Sequence, residues 1–173
     1  FITGRAKDLI IRSGHNIDPL VIEDCLLLHP AVADTAAVGM PDAYSGEVPV
    51  AYVVLRPGAV ADEDMLLSFL GQRIAERPAL PKRVFFLDRL PTTAVGKTYK
   101  PTLRRDCAES HLKQVLAGEP ITSLTLIEDP GRGRVTKIAL WPTCGNEPRD
   151  RIVAKLSHYL VTVEWVTEAR LDG

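Results

Sequence analysis

Gly4-Arg5-Ala6-Lys7-Asp8-Leu9-Ile10-Ile11-Arg12-Ser13-Gly14-His15-Asn16-Ile17-Asp18-Pro19-Leu20-Val21-Ile22-Glu23 packs a strand, a turn and a helix start into one short stretch. Asp8 to Arg12 reads as a short apolar strand. Ser13-Gly14-His15-Asn16 is a turn-prone cluster that breaks it. Asp18 suits a helix cap and Pro19 the first helical position, where the missing N–H costs nothing. Val21, Ile22, Cys25 and Leu26 then give the helix one apolar face, and His29-Pro30 ends it.

Working outward, Val32 to Val38 and Val50 to Leu55 are β-compatible, with the polar loop Pro41 to Glu47 between them. A helix is expected from about Asp62 to Arg77, with apolar residues Met65, Leu66, Phe69, Leu70 and Ile74, and Pro78 and Pro81 ending it. Val84 to Leu87 is the next strand. The loop Pro91 to Lys100 follows, then a helix opened by Pro101 and running to about Leu116. Ala117-Gly118-Glu119-Pro120 reads as a linker. Beyond it, Leu124–Glu128 and Val135–Trp141 are strands around an Asp129–Gly133 turn. A helix opens at Glu147-Pro148, and Val161, Val163 and Trp165 alternate as a last strand. The expected fold is α+β: small sheets flanked by helices over 1–118, plus a β-β-α-β extension over 119–173. The extension is suited to a satellite sheet or a dimer contact. Trp141 and Trp165 lie in strand patterns, so packing is expected of both.

At 173 residues the chain fits one domain with an appendage. Net charge is −1, with 14 basic and 14 acidic side chains in 1–118 and 7 and 8 in 119–173. No global field therefore favours nucleic acid or an anionic membrane. No apolar run reaches the length of a membrane span. Three widely spaced cysteines (Cys25, Cys107, Cys144) argue against a disulfide framework and for a reducing cytoplasm. The chain opens on Phe1 rather than Met, which reads as a piece of a longer protein.

Chemistry concentrates in two places. In Leu90-Pro91-Thr92-Thr93-Ala94-Val95-Gly96-Lys97, Gly96 admits close backbone approach or positive φ, and Lys97 presents a compact cation suited to phosphate or carboxylate. The P-loop pattern is excluded, because the glycine it requires five residues before Gly96 is Pro91. On spacing alone the plainer reading, an exposed loop lysine, is the favoured one. In the opening stretch, Arg5 is placed to hold a phosphate or ribose, and Gly14 to admit a narrow substrate, against the plainer reading of a strand entry and a turn. Cys107 and His111, at i and i+4, do not make a metal site, and no G-x-S-x-G supports a serine hydrolase. Arg132, Arg134 and Lys137 form a small basic cluster on an expected solvated hairpin.

Together, Gly4–Ile10, Ser13–Pro19 and Ile22-Glu23 resemble the signature that opens the C-terminal domain of adenylate-forming enzymes. Leu90–Lys97 through Leu103-Arg104 resembles the last signature of that superfamily. The wording Gly14-His15-Asn16-Ile17-Asp18-Pro19 resembles bacterial fatty-acyl-CoA synthetases most. The resemblance implies ATP and CoA as substrates, with a carboxylic acid of the fatty-acid kind, and Mg2+ arriving with ATP and held mainly outside this chain. It implies an N-terminal domain of the same enzyme as partner, without which the chain is inactive. Lys97, supported by Gly96, matches the lysine that bridges carboxylate and α-phosphate. Lys7 matches the hinge, Arg5 an arginine near the nucleotide, and Ser13, Gly14 and His15 the CoA tunnel. Lys100 stands where many relatives have Arg, a change that matters only if planar bidentate contacts are required. Two other readings stay open: the lid of a peptide-synthetase adenylation domain, which predicts a downstream carrier segment, and a non-catalytic binding or assembly module with the same fold. No such carrier segment is visible in 119–173.

Overall fold

The computed structural model describes residues 8–129, 131–142 and 146–167. Arg5, Lys7 and Cys144 lie outside the described residues. Two compact units divide the chain, 1–104 and 105–173.

The first unit follows the expected α+β pattern. Strand β1 (Ile10–Arg12) and strand β2 (His15–Ile17) form a hairpin with Arg12 opposite His15. The turn is therefore only Ser13-Gly14, and His15 and Asn16 belong to a strand rather than to the four-residue turn the sequence suggests. Helix α1 (Pro19–Leu27) starts as read: the Asp18 carboxylate accepts from Leu20 N at 3.0 Å, with Pro19 in the first turn. Its buried face differs from the expected one. Val21 is 50% exposed, whereas Pro19, Ile22, Glu23 and Leu26 are buried.

Strands β3 (Val32–Asp42) and β4 (Gly46–Leu55) pair antiparallel over nearly their whole length, and so reach further toward their turn than the apolar runs alone suggest. Backbone pairing carries the polar ends Pro41-Asp42 and Gly46-Glu47 into the ladder. Strand β4 is central: β3 lies on one side, while β1 meets it at Gly46 and β5 (Arg83–Phe86) pairs parallel to Val50–Val53. Helix α2 (Glu63–Gly71) forms the crossover between β4 and β5. It is capped by Asp62, which accepts from Met65 N at 2.8 Å, and it ends at Gly71 rather than Arg77. Glycine is a poor helix former, and the residue before Pro78 is biased away from helical geometry, so Arg77–Ala79 forms only a short 3₁₀ turn. Glu63 Oε1 accepts from both Val84 N and Arg83 Nε at 2.9 Å, which ties the helix to β5. Ile10, Ile17, Ile22, Leu26, Leu66 and Leu70 are central to the core.

The second unit comprises the latter part of helix α3 (Lys100–Val115), strands β6 (Ile121–Asp129) and β7 (Gly133–Leu140), helix α4 (Glu147–Leu156) and strand β8 (Thr162–Trp165). The sheet order is β6-β7-β8, antiparallel then parallel. Ala108, Leu112 and Leu116 pack with Leu124, Leu126, Ile138, Ile152 and Leu156. The compact unit therefore begins inside α3, ahead of the linker-like Ala117–Pro120. The β-β-α-β motif needs the apolar face of α3 to complete its core. Strand β7 stops at Leu140, so Trp141 is 59% exposed instead of packed, while Trp165 is half-buried with the Arg149 guanidinium 5.3 Å from its ring centre. Arg132 is held by Asp129 and Glu164 at 3.3 and 3.2 Å, as befits a solvated hairpin. Cys107 is buried, and His111 Nε2 lies 3.1 Å from the Tyr159 hydroxyl. Among the described residues no helix is long and apolar enough to cross a membrane, and no cluster of three metal-ligating side chains occurs.

Glu119 clamps α4. Its carboxylate takes Lys155 Nζ at 2.8 Å and Arg151 Nη2 at 3.1 Å, and these two hydrogen bonds, Lys155 first, hold it below the ordinary carboxylate range. A carboxyl with a lowered folded pKa stabilises fully above its unfolded pKa, and this stability is lost as pH falls through the folded value. Glu119→Gln is expected to lower the unfolding midpoint at neutral pH, and by progressively less at acid pH as the native carboxyl is neutralised. Tryptophan fluorescence reads this directly, since both tryptophans lie in the second unit. An equal loss at both pH values would assign the effect to packing instead.

Candidate functional site

Both chemically suggestive stretches lie in the first unit, and each is presented on a tight hairpin. In the Ser13-Gly14 turn both central residues are left-handed, with φ +49° and +82°. This is the combination that two-residue hairpins of the primed type require. Nothing lies within 4 Å of where a Gly14 side chain would begin, so the glycine is demanded by backbone conformation and not by packing. The strained Ser13 is held by its N–H, which donates to Ser45 O at 2.8 Å. Ser13, Gly14 and His15 are all exposed.

Ser13 and His15 line an open cavity of about 270 Å³ with Arg12, Arg77 and Pro78. Arg12 Nη1 donates to Pro78 O at 2.9 Å, which fixes one guanidinium on the wall. Two arginines and a histidine with no acid among them make an anion-attracting surface. Ser45, which accepts the Ser13 N–H, lies in the β3–β4 turn, where its chain neighbour Tyr44 is 98% exposed. Arg77 and Ser45 escape sequence reading, because their relation to Ser13 is created by the segment after α2 and the β3–β4 turn. Lys97 does not line this cavity.

The Lys97 hairpin is built from backbone. Gly96 N donates to Thr93 O at 2.9 Å, Thr93 N to Lys97 O at 2.7 Å, and Tyr99 N to Pro91 O at 2.7 Å. Gly96 sits at φ +77°, again with open space at its Cβ position, completing a three-residue hairpin loop with a left-handed glycine. Lys97 N also donates to Thr93 Oγ1 at 3.2 Å. The backbone of Lys97 is therefore held on both sides while its side chain is exposed. An ammonium so presented can bridge anionic oxygens brought to it.

Two ion pairs anchor the chain that follows. Lys100 Nζ lies 2.7 Å from Glu23 Oε1, with the side chains 15% and 11% exposed. The same Glu23 oxygen accepts from Ala37 N at 2.6 Å. Arg104 Nη2 lies 2.7 Å from Asp8 Oδ1. Tyr52 also donates its hydroxyl proton to Leu103 O at 3.1 Å. Glu23 is the residue whose structural part sequence reading missed. The available signal was its place four residues after Pro19 and three before Leu26, on the face that is buried. The Lys100 contact uses a single carboxylate oxygen, which a lysine makes as readily as an arginine.

Residues 21–97 match the AMP-binding enzyme C-terminal domain family. The marinolic acid–CoA ligase of Pseudoalteromonas sp. (strain SANK 73390) is 39% identical over 163 residues, covering 92% of this chain and 25% of that protein. A long-chain-fatty-acid–CoA ligase of Bacillus subtilis is 40% identical over 111 residues, covering 64% of this chain and 20% of the relative. The crystal structure of ATP-bound MatB from Rhodopseudomonas palustris superposes with a TM-score of 0.56 at 40% identity, covering 58% of this chain and 20% of that one. The chain thus spans about a quarter or less of the length of the relatives it matches.

The hairpin geometry carries its own test. Gly14→Ala and Gly96→Ala each place a side chain at positive φ and are expected to cost about 1 kcal/mol in chemical denaturation. Asn at either position should cost less, since its short polar side chain tolerates this region. Equal costs for Ala and Asn would point to a clash rather than to backbone strain.

Proposed function

Since residues 21–97 form an AMP-binding enzyme C-terminal domain, we propose that the chain is the catalytic lid of an ATP-dependent acyl-CoA synthetase, AMP-forming. In this reading a carboxylate oxygen attacks the α-phosphorus of ATP and pyrophosphate leaves. The CoA sulfur then attacks the acyl carbonyl carbon of the acyl-adenylate, and AMP leaves as the thioester forms. The observation that carries the reading is Lys97, whose backbone is clamped by the Thr93–Lys97 hairpin and whose ammonium is exposed. Negative charge builds up where carboxylate and α-phosphate meet. A cation placed there beforehand stabilises the transition state more than the separate reactants.

The Ser13-Gly14 tip serves the second step. Gly14 leaves space open for a narrow thiol arm, and the cavity formed by Arg12, His15 and Arg77 suits the phosphates of CoA. Lys7 is the hinge whose backbone rotation exchanges the two tips at the active site, and Arg5 lies near the nucleotide. The ATP-binding loop, the acyl pocket and most of the Mg2+ contacts belong to an N-terminal domain, so the lid alone is inactive. The carboxylic acid is of the fatty-acid class.

In the full-length enzyme, Lys97→Ala is expected to slow pyrophosphate release by about a hundredfold or more, the scale of losing one preorganised charge-stabilising group. Thioester formation from preformed acyl-adenylate should be spared, and equal loss in both half-reactions would overturn the assignment. Gly14→Leu should do the reverse, slowing thioester formation while adenylation continues. An unchanged thioester step would remove Gly14 from the tunnel.

A further inference from the structure

The bonds inside the Lys97 hairpin set its shape but not its place on the domain. Placement comes from its two ends. Upstream, Leu90 is 5% exposed and anchors the entry. Downstream, Lys100 begins α3 with its ammonium 2.7 Å from Glu23 Oε1. Only Thr98 and Tyr99 separate Lys97 from Lys100, at most about 10 Å of chain, and the Tyr99–Pro91 hydrogen bond closes the base of the hairpin between them. A shift of Lys100 is therefore felt at Lys97.

We propose that Glu23 is a positioning residue for adenylation, acting on Lys97 through its ion pair with Lys100. This rests on the function proposed above for Lys97. Glu23 suits the task because its carboxylate is itself fixed. It is 9% exposed, sits on α1, and accepts from Ala37 N of β3 at 2.6 Å. The ammonium of Lys100 is thereby referred to two core elements. The rest of the first turn of α3 has its own tethers, the buried Leu103, the Tyr52–Leu103 hydrogen bond and the Arg104–Asp8 pair. Losing the Lys100 contact is thus expected to loosen the hairpin base without unfolding the helix. The Ser13-Gly14 tip depends on neither Glu23 nor Lys100. It is held by Ser13 N on Ser45 O and by Arg12 on Pro78 O. Separate tethers make the effect specific to one half-reaction.

The test is made in the full-length enzyme with Lys100→Met, Lys100→Arg and Glu23→Gln, measuring pyrophosphate release and thioester formation from preformed acyl-adenylate separately. Glu23→Gln keeps an oxygen for Ala37 N and so preserves the fold if Lys100→Met does not. Lys100→Met and Glu23→Gln are each expected to slow pyrophosphate release about tenfold, the scale of a sub-ångström to ångström misplacement of a reacting group. The thioester step should be unchanged, and Lys100→Arg should retain adenylation, since one oxygen is all the cation needs. Hydrogen exchange across 91–100 in the isolated chain should quicken in Lys100→Met. Parallel loss in both half-reactions, or no loss in either, overturns the proposal. Lys97→Ala run alongside separates the two levels. If it abolishes adenylation while Lys100→Met and Glu23→Gln are silent, the positioning role alone falls. If Lys97→Ala itself is silent, the underlying reading falls with it.

Discussion

The carboxylate of Glu23 resolves a problem that the sheet creates. Strand β3 has a partner on one side only, so alternate N–H groups point away from the ladder and require acceptors. Ala37 is fully buried, and its N–H finds no water. Glu23 supplies the acceptor, and a buried carboxylate then needs a cation, which Lys100 provides. Such a pair adds little stability over a well-packed apolar alternative, yet losing one partner costs about 3–5 kcal/mol, because the other charge stays behind unpaired. Its main effect is geometric. One carboxylate sets where α1, β3 and the start of α3 meet.

On that frame the first unit carries two hairpin tips, each turned by a glycine at positive φ and each with its backbone satisfied locally. Side chains on loops held by a rigid scaffold can be exposed without being loose. Lys97 is the clearer case, since hydrogen bonds on both sides hold its backbone while its side chain stands in solvent. The Ser13-Gly14 tip is the counterpart, with cations gathered around an open cavity.

The second unit is built differently. Its small three-stranded sheet cannot bury its apolar face alone and borrows Ala108, Leu112 and Leu116 from α3. Glu119, between α3 and β6, fastens α4 through Arg151 and Lys155. The likeness to the marinolic acid–CoA ligase runs over 92% of the chain and so extends well into this unit.

Local chemistry made much of this legible in the sequence. Asp18-Pro19 announces a helix start because one supplies a cap and the other needs no N–H, and the structure places α1 there. The alternating or continuous apolar runs mark the strands other than β2, whose polar His15-Asn16 reads as turn, and the two motifs resemble the C-terminal domain family that residues 21–97 match. The ends of elements were less legible. Helix α2 stops at Gly71, and β3 and β4 run on into polar residues, since ladder pairing rewards backbone groups whatever their side chains. The sequence by itself determined most of the elements, their order and the two glycine-centred turns, because propensity, capping and left-handed backbone are properties of neighbouring residues. Only the tertiary structure decided that Glu23 faces inward to hold Ala37 and Lys100, that Arg77 joins Ser13 and His15, and that α3 serves the second core. Each of these joins residues far apart in the chain, and burial and charge pairing act between elements only once they have packed.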